Sequence, residues 1–268
     1  MTEFRRRYSD QAAKIPRQHI SRLAFLLAGL LIAVTSVSLL FVGFVASQAS
    51  RQQAIANEER LFQSTLADHL RTIVREQIGI ASSDQSVLKL VRNFDPDYVR
   101  SSFDTLWSTY RHSKVMLISG NGDVLAESFA DYTHIIRRPV SETPELEIVH
   151  EKLKALYLQN RVRVPGGFGH KSLQGADPGE YAVMGFVHID GKPAIFGAMP
   201  IIPDDYEETL PDGPPTVLLS AHYVDAYLLG QLNAQLNFAN FGFEEDAGVP
   251  GKGPRHLVKD QNDDPLGT

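Results

Sequence analysis

Residues 23–46 read LAFLLAGLLIAVTSVSLLFVGFVA, and the run without a formal charge extends from Leu23 to Ser50, bracketed by Arg22 and Arg51. A helix of that length rises about 42 Å at ~1.5 Å per residue. The hydrocarbon core of a bilayer needs only about 20 apolar residues. Backbone in lipid must satisfy its own hydrogen bonds, which leaves a helix as the single-segment solution. The residues left over reach the interface or accommodate tilt. A cleaved signal peptide competes with this reading, because Ser47-Gln48-Ala49 has the small-x-small form of a cleavage site. Its apolar region, however, would run only about 7–15 residues. The sequence therefore predicts a retained transmembrane helix over residues 23–50, and the chain beyond it becomes a domain on one side of a membrane.

The flanks choose the side. Residues 1–22 set Arg5, Arg6, Arg7, Lys14, Arg17 and Arg22 against Glu3 and Asp10, a balance of +4. The positive-inside rule puts this basic tail in the cytoplasm. With −6 overall, residues 51–268 carry −10 (−6 minus +4) and lie outside the cytoplasm. So acidic an outer part argues against a nucleic-acid partner. The chain has no Cys, hence no disulfide and no thiolate metal site. Some 218 residues beyond the anchor (268 − 50) are enough to build a core without such staples.

Residues 51–80 predict a helix continuous with the anchor. No Pro or Gly lies between Ser50 and Ile78, and Ile55, Leu61, Phe62, Leu66, Leu70, Ile73 and Ile78 keep helical spacing against a polar face of Gln52, Asn57, Arg60 and Arg71. Part of that stripe is expected to pack on its own domain and part on a partner helix in a homodimer. Further on, helices are predicted over Gln85–Arg92, over Pro96–Ser108 behind Asp95, and over Thr143–Asn160 with Pro144 in its first turn. Lys114–Ser128 reads as a hairpin turning at Gly120-Asn121-Gly122. A Gly-rich loop, Pro165–Gly179, leads to a second hairpin in which YAVMGFVHI and AIFGAMPII flank Asp190-Gly191-Lys192-Pro193. Thr216–Ala221 is a fifth strand followed by a helix to about Leu236, and Phe238–Thr268 holds short strands. That order describes an α+β fold: a transmembrane helix running into a long helix, then an antiparallel sheet backed by helices over residues 81–268.

This is the pattern of extracytoplasmic PAS-like and Cache-like sensors, and particular residues narrow it. Ile80-Ala81-Ser82-Ser83-Asp84 ends the long helix, and Asn93-Phe94-Asp95 precedes the next. Val115-Met116-Leu117-Ile118 turns through Asn121-Gly122-Asp123, and Asp190-Gly191-Lys192-Pro193 leads to Ala198-Met199-Pro200-Ile201. Val217-Leu218-Leu219-Ser220 opens into a helix, and Asp264-Pro265-Leu266-Gly267 comes last. In this order the segments resemble the CHASE4 domain, the extracytoplasmic sensor of bacterial transmembrane signalling proteins, over about residues 51–268. The family's Trp-rich run before the Asp that Asp84 matches is Ile80, Ala81 and Ser82 here. The resemblance implies a second membrane helix and a cytoplasmic output domain, often one that makes or degrades cyclic-di-GMP. Neither follows Ser50 in this sequence, so it reads as the N-terminal part of a longer receptor or as a truncated remnant, with the sensor incomplete at its C-terminal end.

No catalytic residue, cofactor or metal site is read from the sequence. The nine His, at 19, 69, 112, 134, 150, 170, 188, 222 and 256, include no helical i, i+4 pair with a Glu between and are read as solvated or core residues, with a zinc or iron site assembled in space as the alternative. Gly248–Gly253 lacks P-loop spacing and reads as a turn. Adjacent acids such as Asp204-Asp205 and Glu207-Glu208 read as solvated surface. The candidate small-molecule site consists of Trp107 and Tyr110 as aromatic walls ahead of the first strand, His112 and Lys114 as polar contacts, Tyr132 after the hairpin, and Asp84 from the resemblance. The expected function is a non-enzymatic sensory input module. The alternative is a membrane-anchored periplasmic adaptor that binds a partner protein.

Overall fold

The computed structural model describes residues 17–205, 207–238, 241–244, 258–261 and 265–267. Most of the basic tail, the Gly248–Gly253 turn and much of the final segment lie outside the described residues. Helix α1 runs from Arg17 to Ala81. Two compact units divide the chain at Glu58/Glu59. In the first, every described side chain from Arg22 onward is exposed, including Phe25, Leu40 and Phe41. A long apolar helix that no protein covers has the composition and surface of a membrane span.

The second unit is built on a six-stranded antiparallel sheet of order β3-β2-β1-β8-β7-β6. Its strands are β1 (Lys114–Ile118), β2 (Asp123–Phe129), β3 (Tyr132–Pro139), β6 (Val183–Ile189), β7 (Lys192–Pro200) and β8 (Val217–Tyr223). The β6–β7 hairpin turns at Asp190 (φ 53°) and Gly191 (φ 71°). Two successive positive φ values make the tight turn whose twist matches paired strands, which explains an Asp-Gly pair at that point. Short strands β4 (Arg161–Val164) and β5 (Gly167–His170) pair separately, as do β9 (Val258–Lys259) and β10 (Pro265–Gly267). The whole is the expected α+β arrangement, a long helix followed by an antiparallel sheet backed by helices.

Helices cover both faces. α3 (Pro96–Tyr110) starts where the Asp95 carboxylate accepts the Asp97 and Tyr98 amides, and stops at Arg111 in the left-handed region. Its Val99, Phe103 and Leu106 join Val74 and Ala81 of α1, Val115 and Leu117 of β1, Met199 and Leu218 in one core cluster. Beside it Phe62, Leu66 and Ile73 pack with Ile195 and with Leu228, Leu232 and Leu236 of α5 (Ala226–Leu236). The opposite face seats α4 (Pro144–Asn160), whose Leu146, Val149 and Leu153 meet Met116, Ile118, Phe196 and Leu219. The amphipathic stripe of α1 is thus covered by its own domain at Phe62, Leu66 and Ile73, while Ile55 and Leu61 remain exposed.

Three stretches differ from the sequence expectation. Residues 132–139 form edge strand β3, whose side chains are mostly exposed. Its place rests on backbone bonds to β2 rather than on an apolar alternation, and its Arg137, Arg138 and Pro139 suit an edge that must not recruit further strands. The Gly-rich loop contains a hairpin, because Pro165 and Gly166 (φ 88°) supply the two central residues of a turn joining β4 to β5. The helix expected at Gln85–Arg92 is a short turn, α2 (Asp84–Ser86), running into a π-helical stretch, Val87–Arg92.

Helix α1 lies tightly against the sheet at Gly197. A Cβ there would lie 2.8 Å from Val74 Cγ2, 3.0 Å from Ile73 Cγ2 and 3.1 Å from Gln77 Nε2. Crowding in a packed interior of this kind costs about 1–3 kcal/mol. Gly197→Val is accordingly expected to lower the thermal midpoint of the full chain in detergent micelles, whereas Gly230→Ala on α5, where an added Cβ would meet nothing within 4 Å, is not. Equal stability of the two variants would refute tight contact at this crossing.

Candidate functional site

Lys114 opens β1 and pairs across to Ala221, which turns its side chain to the α4 face. It is only 4% exposed. A buried ammonium needs partners. Two carboxylates supply them: Glu127 Oε2 at 3.0 Å and Asp190 Oδ2 at 3.1 Å. Arg138 adds a second cation to Glu127 at 3.2 Å, and the Tyr223 hydroxyl donates to Asp190 at 3.2 Å. Burial pushes the Glu127 carboxyl up, yet the bonds from Lys114 and Arg138 outweigh it and hold it below the ordinary range. Burial, reinforced by Asp190, holds the Tyr223 phenol well above its ordinary value, so it remains a donor.

An open groove of about 610 Å³ borders this group, between the β6–β7 turn and the start of α4. Glu127, Arg138, Glu142, Glu145, His188 and Asp190 contribute to its lining. Glu145, in the first turn of α4, accepts the His188 backbone N–H and lies 3.3 Å from its Nδ1, tying the helix to β6. Four carboxylates against Arg138 and the sequestered Lys114 leave the groove acidic. It is chemically suited to a small molecule bearing an amine.

The six residues singled out from the sequence do not converge. Lys114 is bonded to two groove-lining residues. His112 lies on the other face of the sheet, fully buried, 2.6 Å from Ser220 Oγ and 2.8 Å from Glu76 Oε2. Tyr110 is 39% exposed with its ring 6.0 Å from that of His112. Trp107 sits part-buried on α3 with the Arg111 guanidinium 5.6 Å from its ring. Tyr132 is exposed and stacks edge-on against His134. Asp84 belongs to a third place, where its N–H donates to Asp204 Oδ1 and its Oδ2 accepts the Glu207 N–H, both at 2.9 Å. Sequence reasoning missed Glu127, Glu142, Glu145 and Asp190. The Asp190-Gly191 turn and the acid at the start of α4 were visible, but not that they face one another.

The family model of the CHASE4 domain matches residues 65–244, more than half of the chain. None of the curated proteins matches it. Among solved structures, the ligand-binding domain of the Campylobacter jejuni chemoreceptor Tlp3 in complex with L-valine is 17% identical, with a TM-score of 0.38, covering 80% of this chain and 71% of that one. The sensory domain of the same chemoreceptor is 18% identical, with a TM-score of 0.37, covering 69% of this chain and 64% of that one.

Asp84 generates a pH prediction. Burial first, then the hydrogen bond and repulsion from Asp205, push its carboxyl up to about 6, and the same bond draws Asp205 down. Between pH ~4 and ~6 native Asp84 keeps a proton that the unfolded chain has released, so stability falls as pH rises through that window. Asp84→Asn should flatten the dependence of the thermal midpoint between pH 4 and 6 and raise the midpoint at pH 7. A variant with the wild-type slope would remove the shared proton.

Proposed function

This chain belongs to the CHASE4 family of extracytoplasmic sensory domains, and on that premise we propose that it is the input module of a bacterial membrane receptor, without catalysis of its own. In this reading residues 51–268 lie in the periplasm and read a small molecule in the acidic groove. Helix α1 carries the result across the inner membrane to a cytoplasmic output, for which the family favours cyclic-di-GMP turnover. The observation that carries the reading is that the helix bearing the uncharged span is the same helix whose last turns form the core with β1, β7 and β8. Any ligand that shifts this sheet acts on the helix directly.

Orientation is tested by fusion. Alkaline phosphatase after Thr268 is expected to be active, and a reporter that works only in the cytoplasm silent. The reverse pattern would sink the topology.

The groove is tested on the full chain in micelles with a thermal-shift screen of amino acids and polyamines. A ligand confined to the folded state stabilises it by about 2.7 kcal/mol at a hundredfold excess over its dissociation constant. An amine-bearing compound is expected to raise the midpoint, and the double variant Glu142→Gln, Glu145→Gln to abolish the rise. The amide that replaces the Glu145 carboxylate retains an oxygen acceptor for the His188 N–H, so the variant removes charge rather than the bond to β6. A shift that survives the double variant would place binding elsewhere. No shift from any compound would leave the adaptor reading, for which exposed Phe129 and Tyr132 beside edge strand β3 offer a surface.

A further inference from the structure

On the sheet face opposite the groove, α1, the segment before β1, and β8 each send one metal-capable side chain to a single point. These are Glu76, His112 and His222, and one ligand atom from each lies within 4.8 Å of the others. We propose that these three residues bind a divalent first-row transition metal, with Zn²⁺ the ion that fits best and water completing the shell. The inference concerns binding alone and does not depend on the sensory reading.

The donor set comes first. Two imidazoles and one carboxylate make a three-ligand site of the kind that holds Zn²⁺ with a fourth position open. Hard cations such as Mg²⁺ and Ca²⁺ prefer shells built from oxygen. Ligand atoms at ~2.0–2.1 Å from a tetrahedral ion stand about 3.3 Å apart. The 2.8 Å between His112 Nε2 and Glu76 Oε2 is shorter than that, and the 4.8 Å limit is longer, so side-chain rotations of about an ångström suffice. Glu76 is 22% exposed, which opens the point to solvent.

The surroundings then orient the ring. Gln77, fully buried, donates to Gly197 O at 2.9 Å and to Ser220 Oγ at 2.7 Å. Ser220 Oγ in turn is 2.6 Å from His112 Nδ1. A metal-bound His characteristically donates its other ring N–H to a fixed acceptor, which sets its tautomer and direction. The Ser220 contact fixes the direction of the ring whichever of the two atoms carries the proton, and it turns Nε2 toward the Glu76 carboxylate at 2.8 Å. A proton on Nε2 closes that contact in the metal-free protein, and a cation that displaces it would bridge the same two atoms. The neighbouring His222 ring, 4.7 Å from that of His112, supplies the third donor. His69, on the same helix as Glu76, has its ring 6.4 Å from that of His222. Among the described residues, two other groupings of this kind lack the arrangement: Asp84, Asp205 and Glu207 are acids alone, and Glu145, His188 and Asp260 include a single His.

The test uses the full chain, purified without a polyhistidine tag, in detergent micelles with Zn²⁺ or Co²⁺ as probe. Calorimetric titration is expected to show one tight equivalent of Zn²⁺ and a raised thermal midpoint, with no response to Mg²⁺ or Ca²⁺. Co²⁺ should produce the visible absorption of a low-symmetry nitrogen and oxygen shell. Glu76→Gln and His222→Gln should each weaken Zn²⁺ at least tenfold, and Ser220→Ala about 10–100-fold through loss of the orienting bond. Glu76→Gln still offers His112 an acceptor, so its loss of binding would not reflect unfolding. His134→Ala, an exposed site elsewhere, should bind as wild type. Absence of a tight equivalent, or tight binding unchanged in Glu76→Gln and His222→Gln, would overturn the assignment.

Discussion

The structure of the sensory unit depends on how closely α1 can lie against β7. A helix packed on a sheet normally stands off by the depth of two side-chain layers. At Gly197 one layer is missing, and Ile73, Val74 and Gln77 sit directly over the strand. That contact lets Gln77 reach both the Gly197 carbonyl and the Ser220 hydroxyl, and so places polar groups inside an otherwise apolar layer. It also holds Phe62 and Leu66, further back on the helix, against the leucines of α5. Burying one large aliphatic or aromatic side chain stabilises by about 1.5–3 kcal/mol, so the stripe is a firm attachment rather than a glancing one.

The polar chemistry is divided between the two sheet faces by the period of β1 and β8. Lys114 and Ala221 turn toward α4, whereas Val115 and Ser220, one residue along each strand, turn toward α1. The lysine therefore meets Glu127 and Asp190 at the groove, while His112, just before the strand, meets Glu76 and Ser220 on the helix side. The two charged neighbourhoods are separated by one sheet and share its strands β1 and β8.

Much of this architecture was legible because it follows from local periodicity and turn chemistry. The uncharged run before Arg51, the absence of Pro and Gly as far as Ile78, Asp95-Pro96 at a helix start, and Asp190-Gly191 between apolar runs each impose their element on short-range grounds. Strand β3 was not legible, because an edge strand exposed along most of its length carries no alternating apolar signal. Nor was the hairpin at Pro165-Gly166, where glycines that allow a loop also allow a tight turn. The candidate site was legible only in part. Lys114 and His112 stood out as polar residues beside a strand, but their closeness in sequence concealed that they serve opposite faces.

The sequence by itself determined that one apolar helix precedes an acidic α+β domain, and the order of its segments marked the family, since composition and spacing along the chain suffice for both. Which side chains share a site was decided only by the tertiary structure. Glu76, His112 and His222, or Glu127, Glu145 and Asp190, are far apart in the chain. Their meeting depends on strand order and register, with β8 inserted between β1 and β7. Pairing of that kind is set by burying both faces of the sheet at once, a condition on the whole chain that no local stretch of residues expresses.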